Sequence, residues 1–446
     1  MQSRSCPPRR RAGPPGKFGV FLLLVVAAPA AAIQEPPPLT LQDLYRVVDS
    51  ASPVVRMATA AGLAASARVP GASRLPDPRI ELQLMNRNLP GLGLSDPLGM
   101  NQIQVSQMFP VAGQLGLSGQ AARAAADALR ARRGEAAWEQ RAQVAMAFYD
   151  LYQAEERLGV GRETLGLLED LAASLLPMYA VGEARQADVL RAQLEIGRMT
   201  AELEEMAAMR RAMAARLNAL LDRPAGMPLG RPVLAAYPET LPGLDSLVRL
   251  AEAGRPMIQA GQFSVTEAEL LARRARKEIW PDVEIAVAYG QRPMPEGGTD
   301  RMVSVMVGAS IPIWAGSRQL RMRDEAGAMR QMAEADLATM KAATRGRIAE
   351  RLSDLERSRT LARLYRDAVL PQAGATVASA RSAYQVGEVD FMTLLDAIMT
   401  VNTYREEVLR LAAAEGQALA DLEMLIGRPL VAGIPVAPDT PSGGTR

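Results

Sequence analysis

The chain has 446 residues, of which 48% are hydrophobic, 22% are charged and 4% are aromatic, and its formal net charge is +2. It contains no histidine and one cysteine, Cys6. The lack of histidine removes the usual general base and the commonest metal ligand, so we expect neither an enzyme with catalytic residues nor a bound metal or other cofactor. The net charge is nearly neutral, whereas nucleic-acid-binding proteins typically have an excess of basic residues.

Residues 1–32 have the pattern of a secretory signal peptide. Basic residues precede the apolar run from Phe18 to Ala28, and Ala30 to Ala32 offer a cleavage site. The apolar run is too short for a membrane-spanning helix. Loss of this segment removes five basic and no acidic residues, which leaves a net charge of −3 and no cysteine. We therefore expect an exported protein without disulfides; the alternative is an uncleaved amphipathic tail.

The remaining sequence repeats itself. Residues 177–224 align without gaps with residues 382–429, and upstream residues align at a similar offset. Both segments contain a Tyr-x-Val-Gly-Glu motif and end in Arg-Pro, which indicates duplication rather than chance similarity between alanine-rich helices. The predicted divisions are a signal peptide (1–32), a first repeat (33–232), a second repeat (233–430) and a flexible tail (431–446).

Each repeat begins with a predicted helix, followed by a predicted pair of strands. The helices run from Leu41 to about Arg68 and from Leu244 to about Glu278, and each ends near a proline signal. Alternation with a period of two then predicts strand hairpins at 79–109 and 282–313, with strands of about nine to eleven residues. Such alternation taken alone favours the half-buried sheet of a soluble protein.

A long helical hairpin follows each strand hairpin, at 115–221 and at 317–426. Sixty helical residues extend about 90 Å, far beyond a typical globular helix, so we expect these helices to associate laterally as coiled coils or bundles. Gly159 to Gly161 and Pro371 are candidate local interruptions.

Two strand hairpins and two long helical hairpins behind a signal peptide, with Tyr-x-Val-Gly turns between the long helices, resemble the TolC-like outer membrane efflux protein family. The resemblance implies a mainly α fold with a β-barrel portion. Three chains would each give four transmembrane strands to one 12-stranded barrel, continued by an α-helical tunnel in the periplasm. Apolar strand residues such as Ile285 and Val287 would face lipid.

The same resemblance implies a function and partners. The homotrimer would be the outer-membrane exit duct of a tripartite efflux or type I secretion-like system. It would work with a periplasmic adaptor (membrane fusion) protein and an inner-membrane pump of the RND or ABC type. The loops 86–101 and 292–300 would face the exterior.

The turns between the long helices are the predicted periplasmic tip, where the adaptor would dock. The residues concerned are Tyr179, Gly182, Glu183, Tyr384, Gly387 and Glu388. Asp188 and Asp396 match carboxylates that ring the narrow end in the family, and three copies of each would favour cations at a constriction. For each aspartate, a solvated position on a helix surface is the alternative. Val389 stands where some members have a basic gating residue.

The sequence leaves open an alternative function and the identity of the cargo. A periplasmic coiled-coil adaptor or scaffold is the alternative function, but it would have one helical hairpin between two β halves, whereas this sequence predicts two hairpins. The run from Pro76 to Gln114 is similar to metal-efflux branches of the family, which favours metal ions over drugs or proteins as cargo. The 23 methionines could bind Cu(I), although at helical spacing they more simply pack.

Overall fold

The computed structural model describes residues 37–86, 99–294 and 296–431. The predicted signal peptide, the predicted tail from residue 432 onward and most of the predicted loop 86–101 lie outside the described residues.

The four predicted strands form one antiparallel sheet. The strands are β1 (Arg79–Met85), β2 (Met100–Phe109), β3 (Val283–Pro293) and β4 (Thr299–Ala309). Their order in the sheet is β1-β2-β3-β4, so the two hairpins meet where β2 pairs with β3. Strand β1 is shorter than predicted, at seven residues. Among the described strands, β1 and β4 each have one edge without a partner.

The helices account for most of the described residues, as predicted for the fold. The first repeat contains α1 (Leu41–Ala51), α2 (Pro53–Ala72), α3 (Gln114–Ala180) and α4 (Gln186–Leu220). The second repeat contains α5 (Leu244–Gly254), α6 (Pro256–Lys277), α7 (Gln319–Leu364), α8 (Leu370–Gln385) and α9 (Phe391–Ile426).

The prediction of one helix at the start of each repeat is wrong, because a proline divides it. Pro53 and Pro256 each occupy the first position of a new helix. Proline lacks the N–H that the preceding turn needs and disfavours helical geometry at the residue before it. In the first repeat the Ser52 side chain accepts a hydrogen bond from the Val55 N–H at 3.4 Å and so caps α2.

The predicted interruptions of the long helices have different outcomes. Gly159 to Gly161 do not break α3, which is continuous over 67 residues and therefore about 100 Å long. Gly161 instead lets α4 approach closely, since a Cβ atom there would lie 2.9 Å from Leu203 Cδ2. Pro371 does disturb its helix, because a π-helical turn, Tyr365–Val369, separates α7 from α8 just before it.

A buried ion pair joins the short helix α1 to the long helix α3. The Arg141 side chain is 1% exposed and donates from Nε to Asp49 Oδ1 at 2.9 Å. Its guanidinium lies 5.2 Å and 5.1 Å from the ring centroids of Tyr45 and Trp138. Burial of this cation is therefore compensated by a carboxylate and by two aromatic faces.

The second repeat contains the corresponding pair at the surface. Glu252 aligns with Asp49 at an offset of 203, and Arg345 Nε donates to Glu252 Oε1 at 2.9 Å. Both side chains are substantially exposed, at 57% and 32%. The duplication thus provides a buried pair and an exposed pair with the same connectivity between helices.

Replacement of Arg141 by alanine should lower the free energy of unfolding by about 3–5 kcal/mol, because Asp49, whose side chain is only 17% exposed, would lose its partner. The matched change Arg345→Ala should cost less than about 1 kcal/mol, since its partner is hydrated. Denaturation midpoints of the detergent-extracted variants measure both effects. Equal losses would contradict this assignment.

Candidate functional site

The two turns between the long helices have the same backbone structure. In the first, the Glu183 N–H donates to the Met178 carbonyl at 2.8 Å and the Gly182 N–H to the Tyr179 carbonyl at 3.1 Å. In the second, Glu388 and Gly387 make the same two bonds, to Ala383 at 2.9 Å and to Tyr384 at 3.1 Å. This is the Schellman arrangement, which needs a left-handed residue.

Glycine satisfies that need at both turns. Gly182 has φ +83° and Gly387 has φ +78°. An L-residue in this conformation brings its Cβ too close to the following carbonyl. The glycine of the Tyr-x-Val-Gly-Glu motif is therefore required by the backbone of the turn.

The helices that leave the two turns begin differently. The Asp390 carboxylate accepts hydrogen bonds from the Thr393 N–H at 2.9 Å and the Thr393 hydroxyl at 2.6 Å, so it caps α9. These bonds hold the pKa of Asp390 below its usual value, and the positive charges of Arg191 and Arg185 lower it further. At the matching position α4 begins with Arg185, which makes no side-chain capping bond.

The helices of the two turns pack together in one small core. Phe391 is buried, and its ring lies 6.0 Å from that of Tyr384 in an edge-to-face arrangement. The same cluster includes Leu168 and Leu175 from α3 and Ala192 from α4. The turns at Gly182 and Gly387 are thus fixed at neighbouring positions by apolar contacts between the two repeats.

The structure separates the predicted tip residues by environment. Asp188 lies in the first turn of α4 and is half-buried. Burial raises the pKa of Tyr384, and the negative charge of Asp188 raises it further, which places this carboxylate close to the second turn. Asp396 is exposed in the second turn of α9. Within the described residues, neither aspartate takes part in an ion pair.

The other predicted tip residues lie at the surface. Tyr179 is 46% exposed, and Glu183 and Glu388 are exposed as well. Their backbone atoms form the turns, whereas their side chains project from them without partners among the described residues. They are available for contact with another molecule.

The sheet has two chemically different faces. Because partners in the register share a face, the exposed branched aliphatic residues of all four strands and Tyr289 form one continuous apolar surface. It consists of Ile80, Leu82, Leu84, Ile103, Val105, Ile285, Val287, Tyr289, Val303, Val305 and Val307. The opposite face carries the polar or small residues Glu81, Gln83, Gln102, Gln104, Ser106, Ala286, Ala288 and Ser304, together with the methionines Met85, Met100, Met108, Met302 and Met306. Ile285 and Val287 lie on the apolar face, where the sequence placed them.

None of the helices in the described part of the chain is long and apolar enough to cross a membrane. Soluble proteins rarely expose a contiguous apolar surface as extensive as the apolar face of the sheet.

A buried carboxylate near the end of the chain was not anticipated from the sequence. Glu423 on α9 accepts hydrogen bonds from the N–H groups of Leu430 at 2.6 Å and Val431 at 2.9 Å. Burial raises its pKa to about 7, while those two bonds and the Arg141 charge lower it. The sequence signal was a single acidic residue within the apolar run from Leu422 to Ile426.

Comparison with known proteins agrees with the duplicated hairpin architecture. Residues 247–428 match the family model described as outer membrane efflux protein. This part of the chain is therefore similar to members of that family. The match covers most of the second repeat, and the first repeat is related to the second by the internal duplication. A comparison with curated protein sequences finds no match.

Solved structures of outer membrane channels share the fold. The chain is similar to CusC, with a TM-score of 0.75 and 17% identity over 87% of this chain and 92% of that one. It is also similar to VceC from Vibrio cholerae (0.74, 17% identity, 87% and 96% covered). A third relative is the open state of MtrE from Neisseria gonorrhoeae (0.73, 18% identity, 88% and 89% covered). The predicted TolC-like fold is confirmed.

Replacement of Gly387 by alanine should destabilise its turn by about 1–2 kcal/mol, because alanine is strained at φ +78°. The amide of Glu388 should then exchange with solvent about fivefold to thirtyfold faster. The control Gly374→Ala, at an exposed position inside α8 with free space around it, should stabilise the helix by about 0.5–1 kcal/mol. Unchanged exchange in Gly387→Ala would contradict the assigned turn.

Replacement of Glu423 by glutamine should remove a pH-dependent loss of stability. The pKa of Glu423 is about 7 in the fold against 4.5 when unfolded, so the unfolded chain loses its proton first and stability falls as pH rises from about 4.5 to 7. At pH 8 the variant should therefore lose less stability relative to pH 5 than the parent chain. Thermal unfolding at the two pH values measures this, with the exposed variant Glu183→Gln as control. Parallel profiles would refute the prediction.

Proposed function

We propose that this chain forms, as a homotrimer, the outer-membrane exit duct of a tripartite efflux system, in which it passively conducts substrates from a periplasmic adaptor and pump to the exterior. The observation that carries the proposal is the four-stranded sheet, which has one apolar face, one face of polar, small and methionine side chains, and two edges without partners among the described strands. The match of residues 247–428 to the outer membrane efflux protein model and the fold shared with outer membrane channels support the location and the transport role.

The sheet of a single chain would be unstable in contact with lipid. Lipid offers no hydrogen-bonding groups, so the free N–H and C=O groups along β1 and β4 would each cost several kcal/mol there. Pairing β4 of one chain with β1 of the next removes both edges, and three chains then give a closed barrel of about 12 strands. The apolar face of such a barrel meets lipid and the opposite face lines a channel.

The two helical turns are proposed as the periplasmic tip. Asp188 and Asp396 then lie near the narrow end, and three copies of each carboxylate would attract cations to a constriction. The half-buried position of Asp188 beside Tyr384 supports a place inside the closed tip, and the exposed Asp396 supports a place on its surface. Tyr179, Gly182, Glu183, Gly387 and Glu388 would form the surface on which the adaptor docks.

A periplasmic tip places the opposite end of the molecule at the outer surface of the membrane. The ends of the hairpins opposite the helices, at 86–101 and 292–300, would face the exterior. The adaptor alternative has no support from the comparisons, which identify channels. The pump, of the RND or ABC type, would supply the energy, and no catalytic step is assigned to this chain. Metal ions remain the proposed cargo, on the sequence similarity of the run from Pro76 to Gln114.

Conductance tests this proposal directly. The detergent-extracted protein should insert into planar bilayers as small, cation-selective channels, because carboxylate rings line the constriction. The double variant Asp188→Asn and Asp396→Asn should lower cation selectivity severalfold, whereas Glu205→Gln on the α4 surface should not. Absence of conductance would contradict the duct, and unchanged selectivity in the double variant would contradict only the constriction.

A further inference from the structure

The junction between the sheet and the helices of the second repeat exposes two tryptophans. Trp280 lies just before β3 and is 61% exposed, and Trp314 lies just after β4 and is 71% exposed. The third tryptophan of the chain, Trp138, is 2% exposed in the core. Ile311 and Ile313 beside them are also exposed, so the junction carries a large apolar surface that the rest of the described chain does not cover.

This surface continues the apolar face of the sheet. Val303, Val305 and Val307 occupy alternate positions on β4, and Ile311 and Ile313, which follow the end of the strand closely, are exposed as well. The junction therefore lies where the face proposed to meet lipid gives way to helices. Tryptophan is enriched at such boundaries because its ring is apolar and its N–H is polar.

An unpaired cation adjoins the two tryptophans. Arg318 is exposed, lines the same cavity of about 300 Å³, and forms no ion pair within the described part of the chain. The two carboxylates at this cavity are already engaged. Glu278 pairs with Arg274 at 3.3 Å, and Asp282 accepts a hydrogen bond from Gln114 at 3.5 Å. The free guanidinium is suited to an anion that comes from outside the chain.

The first repeat shows that the fold does not require these residues. Trp280-Pro281-Asp282 aligns with Leu75-Pro76-Asp77, and the segment Pro312 to Gly316 has one residue more than Pro110 to Gly113. Residues 318–324 contain three arginines and one aspartate, whereas residues 114–122 carry no charge. The pair of exposed tryptophans beside a basic helix start is thus found at one junction of the two.

We infer that the second-repeat junction binds an anionic phospholipid, with its phosphate at Arg318 and its glycerol and upper acyl region against Trp280 and Trp314. The inference rests on the proposed function, because that function places the junction at the periplasmic surface of the membrane. A cation near a membrane surface attracts anionic lipid, and exposed indoles fix the depth of the bound lipid. Each chain then carries one such site, and the first-repeat junction carries none.

Fluorescence quenching tests the site in the intact trimer. The protein is reconstituted into vesicles with a small fraction of either phosphatidylglycerol or phosphatidylcholine that is brominated on its acyl chains. Trp280 and Trp314 should be quenched by the anionic lipid with about fivefold higher apparent affinity than by the zwitterionic one. Trp280→Phe and Trp314→Phe separate the two signals, and the buried Trp138 is the internal reference. Free phosphate carries no bromine and gives no quenching.

Two matched arginine variants test whether the positive charge of Arg318 selects the anionic lipid. Arg318→Gln should abolish the preference for the anionic lipid. Arg74→Gln, at the equivalent junction of the first repeat and also exposed without an ion pair among the described residues, should keep it. Equal quenching by both lipids in the parent protein, or equal effects of the two variants, would overturn the inference.

A reporter on the sheet separates this inference from the proposed function. Val305→Trp places an indole on the apolar face of β4, where both brominated lipids should quench it alike. Quenching at Val305→Trp without quenching at Trp280 and Trp314 would leave the duct intact and exclude the lipid site, in favour of a protein partner. Absence of quenching at all three positions would refute the membrane placement itself.

Discussion

Backbone hydrogen bonding at the edges of the sheet is the constraint on which the rest of the structure depends. Each described strand pairs with its neighbour, yet within the described residues β1 and β4 each keep one row of unpaired N–H and C=O groups. One side of this sheet is an apolar face, which is most stable in apolar surroundings. Such surroundings cannot form hydrogen bonds with the backbone groups at the sheet edges. Under the proposed function, neighbouring copies of the same sheet satisfy both. The proposed assembly, the proposed orientation in the membrane and a channel inside the barrel all follow from that requirement.

The two repeats share the same order of secondary structure because the sequence is duplicated. Side-chain differences between the repeats give the two halves different contacts. Both repeats have a proline after the first short helix and a Schellman turn at the far end, because the backbone needs them in each copy. The side chains are under no such constraint. The ion pair that is buried at Asp49 is exposed at Glu252, and α9 has a capping aspartate where α4 begins with Arg185. Trp280 replaces Leu75 in the same way, which is why the second junction has chemistry that the first lacks.

The sequence predicted features that depend on local periodicity and on steric limits. Alternating residues around Ile285 located the strands, and the glycines at 182 and 387 located the turns, since few other residues tolerate those backbone angles. Sequence-based prediction failed where contacts between distant parts of the chain determine helix continuity and burial. Gly159 to Gly161 suggested a break, but packing of α4 against Gly161 keeps α3 continuous. The burial of Arg141 and Glu423, and the electrostatic influence of Asp188 on Tyr384, depend on helices distant in sequence and have no local pattern.

Disulfide cross-linking between chains tests the account most directly, because it examines the pairing of β4 with β1. The mature chain is expected to lack cysteine, so one cysteine at Leu82 on β1 can be combined in turn with one at Val303, Val305 or Val307 on β4. The account predicts that at least one pair, when oxidised in the membrane, gives covalent dimers and trimers that reducing agent dissolves. Cross-links only within a single chain, or none at any register, would contradict closure of the sheet by neighbouring copies.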